Sequence, residues 1–306
     1  MTSGIKSSLN KGHETYFCSV DCTIPRRRKK YHVPGILLKG KMIQETAEIL
    51  DHRDQQNDYR ILQLSAPEIG PLVQPGQFIE LLVPRLDDAV LRRPFSVYKA
   101  DSQSVTILYK VVGKGTAAMR RLETGEKVNI IGPLGNGFPN NRKELTPVLI
   151  GGGYGAAALY LQGKALSQKG VVFFGGRSAI DILCVDEFEA LGWEVRVSTE
   201  DGSLGYRGLV TESFDEWLTE HCPAADSAPG IEVFACGPEG MLRAFGDRAG
   251  TGGFTAWLSM DRHMACGMGA CLTCVIKKRD TESSWQWARC CTEGPVFDST
   301  EIVWDE

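Results

Sequence analysis

Along residues 41–143, short strand-like runs alternate with turn signals. The runs fall at 59–64, 78–83, 104–112 and 127–131, punctuated by Pro75-Gly76, Asp101-Ser102 and Thr124-Gly125. Many short strands closed by Gly and Pro turns predict a small antiparallel barrel. Near residue 147 the pattern changes. The segments 147–150, 171–174, 194–199 and 231–235 are short apolar runs of the kind that buried parallel strands show. Helical stretches at 156–168 and 212–220 lie between them, which predicts an α/β domain. After Gly250-Thr251-Gly252-Gly253 the chain turns into a compact cysteine-rich tail. The expected fold class is therefore α+β multidomain. Residues 1–40 form a basic, flexible extension and 41–143 an antiparallel β-barrel. Residues 144–250 form an α/β domain with a parallel sheet, and 251–306 a small C-terminal subdomain.

Composition changes this picture little. A chain of 306 residues with 42% apolar and 24% charged residues is long enough to bury real cores and reads as globular. The net charge of −4 is unevenly spread, because residues 1–40 carry eight Lys/Arg against Glu14 and Asp21. The block from Arg26 to Lys30 has no apolar period beside it and reads as a solvated tail. No continuous apolar stretch precedes a small-residue cleavage site, so no export signal is expected. Residues 145–163 carry no charge, but glycines at 151–153 and 155 break them after a short β-like run. Strand, glycine turn and helix is the reading preferred to a membrane span. A cytoplasmic protein with no nucleic-acid partner and no stable membrane insertion is expected.

Ten cysteines change the picture more. Five of them lie between 266 and 291. In a chain read as cytoplasmic, so dense a group points to metal before disulfides. Cys266-x4-Cys271-x2-Cys274, followed at a distance by Cys291, has the spacing of plant-type [2Fe–2S] sites. Gly267 and Gly269 permit the sharp bend that three thiolates on one loop require. Zinc also takes four thiolates but more often shows paired Cys-x2-Cys knuckles, and only one such pair is present. Cys290 and Cys291 are adjacent, and on an extended segment only one of them faces the cluster. Spacing alone leaves that choice open.

Two further motifs carry chemistry. Gly151-Gly152-Gly153-Tyr154-Gly155 follows an apolar strand and opens a helix, a setting that suits nucleotide phosphates near a helix N-terminus. A plain tight turn is the alternative. Where a ribose-binding carboxylate would follow the next strand, Gly176-Arg177-Ser178 stands instead. In Arg92-Arg93-Pro94-Phe95-Ser96, an arginine can hold a pyrophosphate by two parallel charge-assisted bonds, and Ser96 can reach the ring end of the same cofactor. Gly113-Lys114-Gly115-Thr116 precedes a short helix expected at 117–122 and offers another anion site.

In this order the motifs resemble the ferredoxin–NADP reductase superfamily. Within it they resemble the electron-transfer subunits of two-subunit, NAD-linked dihydroorotate dehydrogenases. The likeness covers residues 41–306. It is carried by Arg93-Pro94-Phe95-Ser96, Leu108-Tyr109-Lys110, Gly115-Thr116, residues 132–138, residues 151–159 and residues 199–203. Cys236-Gly237-Pro238-Glu239-Gly240-Met241, residues 264–271 and residues 291–297 complete it. The resemblance implies FAD at Arg93–Ser96, at Leu108, Tyr109 and Lys110, and at Gly115 and Thr116. It implies NAD, as exchangeable co-substrate, at Gly152, Gly153, Gly155, Cys236 and Gly237. The family pattern Cys-x-x-Gly-Pro-x-Phe favours Cys291 as fourth cluster ligand beside Cys266, Cys271 and Cys274.

It also implies a partner, the FMN-containing catalytic subunit, in a heterotetramer. Electrons would pass from that FMN through [2Fe–2S] and FAD to NAD+, in pyrimidine biosynthesis. A one-electron cluster and a hydride-accepting nicotinamide need a flavin between them, because only the flavin handles both; the cofactors carry the reaction and the protein spaces them. Three positions depart from the family. Lys110 stands where arginine is usual, replacing a fork by a point charge. Tyr154 replaces a small aliphatic residue, and Ala158 a proline. Two rival functions follow. One is an NAD(P)H–ferredoxin oxidoreductase subunit, with Arg177 facing a 2′-phosphate. The other is an electron carrier without nicotinamide turnover.

Overall fold

A computed structural model describes residues 42–85, 90–221, 230–281 and 284–304. The basic leader, with Cys18 and Cys22, lies outside the described residues. The first sheet is all antiparallel. In chain order its strands are β1 (Ile43–Gln56), β2 (Tyr59–Ser65), β3 (Phe78–Leu82), β4 (Arg93–Ser96), β5 (Lys99–Ala100), β6 (Ser104–Lys110) and β7 (Lys127–Leu134). They stand side by side as β4-β3-β7-β1-β2-β6-β5. The sheet curls because β1 changes partner: residues 43–48 pair with β7 and 49–56 with β2. Alternate residues of β1 from Ile43 to Ile49 point inward, as the period of two demands. Ile79, Leu81, Ile107 and Ile130 complete the barrel core, and Met119 of α1 (Lys114–Met119) plugs it.

Helix α1 begins earlier than the expected 117–122 and takes in Gly115 and Thr116. The Thr116 hydroxyl accepts the N–H groups of Val112 and Gly113, at 2.9 and 3.1 Å, which moves the helix start back to residue 114.

The second sheet contains β8 (Thr146–Gly152), β9 (Val171–Gly176), β10 (Glu194–Thr199), β11 (Tyr206–Arg207), β12 (Ile231–Cys236), β13 (Thr255–Ser259) and β16 (Val296–Asp298). Their order is β11-β10-β9-β8-β12-β13-β16, all parallel except β16. The chain thus reverses its direction of winding between β8 and β12. In open parallel sheets that switch point is where a crevice opens at the strands' C-terminal ends.

Helix α2 (Gly155–Ala165) is buried nearly all round, because it lies between this sheet and the barrel. That explains its run of alanines and its lack of a polar face. On the other side of the sheet, α4 (Val210–His221) buries Phe214 and Trp217, and α5 (Glu239–Gly252) buries Leu242, Phe245 and Ala249 at helical spacing. Gly253, at φ 71°, ends α5 in the left-handed conformation. The short α3 (Val185–Ala190) packs Phe188 against α2.

The cysteine-rich tail adds the hairpin β14 (Val275–Thr281) and β15 (Ser284–Arg289), with β17 (Ile302–Val303) alongside β14. Strands β13 and β16 come from residues 251–306 yet belong to the parallel sheet, so the tail is stitched into it. The uncharged stretch 145–163 is β8, a glycine turn and α2. No helix among the described residues is long and apolar enough to cross a membrane.

Candidate functional site

Two cavities meet where the barrel faces the parallel sheet. The first, about 240 Å³, is walled on the barrel side by Arg93, Pro94, Phe95 and Ser96 of β4, by Leu108, Tyr109 and Lys110 of β6, and by Thr116. Across from them lie Gly155, Cys236 and Gly237. Met264 and Pro295, which flank the cysteine loop before and after, close the wall. Gly115 is not part of the wall but supports it. A Cβ there would stand 2.9 Å from Arg93 Nε, so the bare backbone is what lets Arg93 lie across α1. Arg92, one residue earlier, is bonded to Asn129, whereas Arg93 lines the cavity with its Nη1 donating to the Leu91 and Arg92 carbonyl oxygens.

The second cavity, about 630 Å³, opens over the C-terminal ends of the parallel strands at the switch point. Gly152 and Gly153 line it with Gly176, Arg177, Glu200 and Gly237. Gly155 lies at the base of this turn for a steric reason. A Cβ would fall 2.2 Å from the Cys236 carbonyl oxygen, so β12 can pass this close to the start of α2 only because the side chain is missing. Lys110, Val112, Tyr154 and Gly237 line both cavities, which therefore adjoin.

Three side chains that the motifs did not point to organise this junction. Asp181 Oδ1 accepts from Tyr59 Oη at 2.8 Å and from Lys110 Nζ at 3.0 Å, joining the barrel to the turn after β9. Burial works against the Lys110 ammonium, but the bonds to Asp181 and Tyr59 outweigh it and hold its pKa above the ordinary lysine value. Asp181 is correspondingly held below the usual carboxylate range, its own burial outweighed by the Tyr59 and Lys110 bonds. Lys110 is thus tied to protein, a contact that an arginine's second arm would leave partly free. The third side chain is Asp261, which accepts from Tyr154 Oη at 3.2 Å. Asp181 sits five residues beyond Gly176, too far along to be recognised as the carboxylate at a strand end. Cys236 is a packed thiol, pushed up to about 12 by burial despite a bond to Ser259.

The described cysteines are all free. The four in the expected spacing stand as two couples. Cys271, whose thiol is drawn down to about 6 by Thr273 and then by Cys266, pairs with Cys266. Cys274 is drawn down to about 6 by its bond to Cys291, and Cys291 is held above the ordinary thiol range by the proton the two share. Each iron of a [2Fe–2S] unit has two positions left once the bridging sulfides are placed, so two couples of thiols fit it.

Cys290 is fully buried, and its thiol is pushed up to about 12 by that burial and then by the neighbouring Cys274. The turn that separates the two neighbours is closed by Arg289, which accepts from Glu293 N at 2.8 Å and donates to Gly269 O at 3.4 Å. Gly267 and Gly269 have φ of +65° and +86°, the bend that their sequence position predicts.

The loop also meets an unexpected neighbour. Glu80 of β3 has no solvent exposure, and neither carboxyl oxygen has a hydrogen-bond partner. A Cβ on Gly267 would lie 2.7 Å from Glu80 Oε1, so the carboxyl packs directly against the cysteine loop. Burial pushes Glu80 up to about 7, against the pull of Arg92 and Arg93. Nothing in the local sequence of β3 marks it, because the contact is made across the fold.

Comparison with known proteins agrees with these features. Residues 261–303 match the iron–sulfur cluster binding domain of dihydroorotate dehydrogenase B. The electron transfer subunit of dihydroorotate dehydrogenase B (NAD(+)) from Geobacillus kaustophilus is 36% identical over 249 residues, covering 79% of this chain and 91% of that one. The same subunit from Fusobacterium nucleatum is 35% identical over 235 residues, covering 74% and 86%. Among solved structures, the NADH-dependent reduced ferredoxin-NADP oxidoreductase, described for flavin-based electron bifurcation, superposes with a TM-score of 0.73. It has 26% identity and covers 85% of this chain and 90% of that one. The chain belongs to the family of dihydroorotate dehydrogenase B (NAD(+)) electron transfer subunits.

Proposed function

We propose that this chain passes electrons from the FMN-containing catalytic subunit of a cytoplasmic dihydroorotate dehydrogenase to NAD+, in a heterotetramer. The observation that carries the reading is the shared wall. One cavity is bounded by the β4 and β6 residues on one side, by the switch-point turn on another, and by Met264 and Pro295, which flank the cysteine segments, on a third. A carrier joining one-electron to two-electron chemistry needs these three neighbourhoods in contact.

FAD fits the first cavity. Arg93 offers its guanidinium to a pyrophosphate. Thr116 stiffens the turn beneath it, and Ser96 lines the wall at the far end of β4. NAD fits the second cavity, with Gly152 and Gly153 letting the dinucleotide backbone approach β8. Cys266, Cys271, Cys274 and Cys291 would hold [2Fe–2S]. When bound, the flavin supplies the exchange between single electrons and a hydride. The protein's part is to hold Cys236 and Gly237 against the shared wall, and to keep Asp181 occupied so that Lys110 stays fixed.

Arg177 on the wall of the second cavity favours a second reading, in which NADPH replaces NADH. An anaerobic visible spectrum titrated with NADH and then NADPH separates the readings. Flavin and iron–sulfur bands that bleach with NADH first are expected; bleaching by NADPH alone selects the second. Bands that bleach only with dithionite leave a carrier without nicotinamide turnover, and absence of the bands overturns the assignment. In parallel, Cys291→Ser should lose the iron–sulfur band while Cys290→Ser keeps it.

A further inference from the structure

The segment Gly132-Pro133-Leu134-Gly135-Asn136-Gly137-Phe138, the end of β7 and the start of the loop after it, lines neither cavity, although Phe138 and Leu134 are buried. Its contacts point in one direction. Asn136 Nδ2 donates to the carbonyl oxygens of Thr292, at 3.2 Å, and Glu293, at 2.9 Å. The Asn136 backbone N–H donates to Gly294 O at 2.6 Å. Three consecutive carbonyls of the segment that follows Cys291 are therefore taken by one residue. Gly135, at φ +78°, brings the loop in close: a Cβ there would lie 2.5 Å from Pro295 Cδ and 2.8 Å from Gly294 O. An isolated bridge pairs Asn136 with Pro295.

The loop is itself anchored to the barrel. Gln77 Nε2 donates to Gly135 O at 2.8 Å, and Phe138 N donates to Pro75 O at 2.8 Å. Phe78, the next residue, lines the first cavity, and its Cε1 lies 3.0 Å from where a Gly135 Cβ would be. An unbroken series of contacts thus leads from the cavity wall, through Gly135 and Asn136, to the residue after Cys291.

We infer that Asn136 is a positioning residue for electron transfer: it holds the Cys291 arm of the cysteine loop at a fixed place relative to the flavin cavity. The inference rests on the assignment of Cys291 as a cluster ligand. An amide suits the task because its two N–H groups can serve two adjacent carbonyls. An isosteric carboxylate would instead set its oxygens against those carbonyls. This gives an order that simple packing would not produce. If Asn136 only filled space, Asn136→Asp would be nearly silent and Asn136→Ala the worse change. If it acts by donating, Asn136→Asp is the worse of the two.

The test compares wild type, N136A and N136D as purified holoproteins, scoring iron and flavin content separately. The readouts are the electron paramagnetic resonance spectrum of the dithionite-reduced cluster and the rate of iron capture by an external chelator. The expected result is an altered g-tensor in both variants, and iron capture faster by about tenfold in N136D and less in N136A. Flavin should stay at the wild-type level. Unchanged spectra and capture rates overturn the inference, as does N136A exceeding N136D. Joint loss of flavin and iron also overturns it, since Asn136 would then support the fold rather than one arm of the loop. A wild-type protein without iron would instead refute the cluster assignment itself.

Discussion

Glu80 combines full burial with two unpartnered oxygens and a neighbouring thiolate loop. Leaving such a carboxyl charged is costly, so the proton stays on it to about pH 7 rather than 4.5. Because the folded-state value is raised, the folded protein holds a proton that the unfolded chain releases between those two values. Stability therefore falls as pH rises through that window and levels off above it. The effect is at most on the order of 3 kcal/mol. Glu80→Gln should remove the slope, so that urea midpoints of the two proteins diverge between about pH 5 and pH 8, with the wild type declining. Parallel midpoints across that range would show that Glu80 ionises normally.

At the scale of elements, the crossing of α2 over the end of β12 is the tightest demand. The Gly155 position admits no side chain because backbone stands on the other side: Cys236 O at 2.2 Å and Gly237 N at 2.9 Å from an ideal Cβ. Backbone cannot swing aside as a lysine tip can, so Gly155→Ala must separate the helix from the sheet. A loss of about 3 kcal/mol is expected, read as a lower denaturant midpoint at unchanged slope. The same displacement should weaken nucleotide binding, since Gly152 and Gly153 belong to the turn it moves. The strand and helix runs were legible because burial periodicity is local. Apolar spacing alone starts helix α1 too late, because its true start depends on the Thr116 hydroxyl capping backbone amides.

For the whole molecule, the tail serves two layers at once. Strands β13 and β16 complete the parallel sheet, while Met264, before the cysteine loop, and Pro295, after Cys291, close the first cavity. Iron held by the two thiol couples would bind the folded state and not the unfolded one, adding stability by mass action. Removing it with a chelator should lower hydrogen-exchange protection in residues 264–295. Strands β1, β2 and β6 should keep theirs, because the barrel core is built from other side chains, whereas β8, β9 and β12 share a core with Cys274, Cys290 and Cys291 and should lose some. Equal loss of protection everywhere would mean that the metal holds the whole fold together.

The sequence by itself determined the chemistry and the class of each layer. Thiol spacing on one loop, a glycine turn between strand and helix, and alternating runs are properties of neighbours along the chain. So are the motifs that place this chain in its family. What only tertiary structure decided is how those layers meet. Asn136 reaches 157 positions along the chain to Glu293, and Tyr59 reaches 122 to Asp181. Glu80 meets Gly267 only because β3 lies against the cysteine loop. Cys291 bonds Cys274 in a turn that Arg289 and Glu293 close. Such contacts join residues whose separation in sequence carries no periodic signal, so they become visible only once the chain has packed.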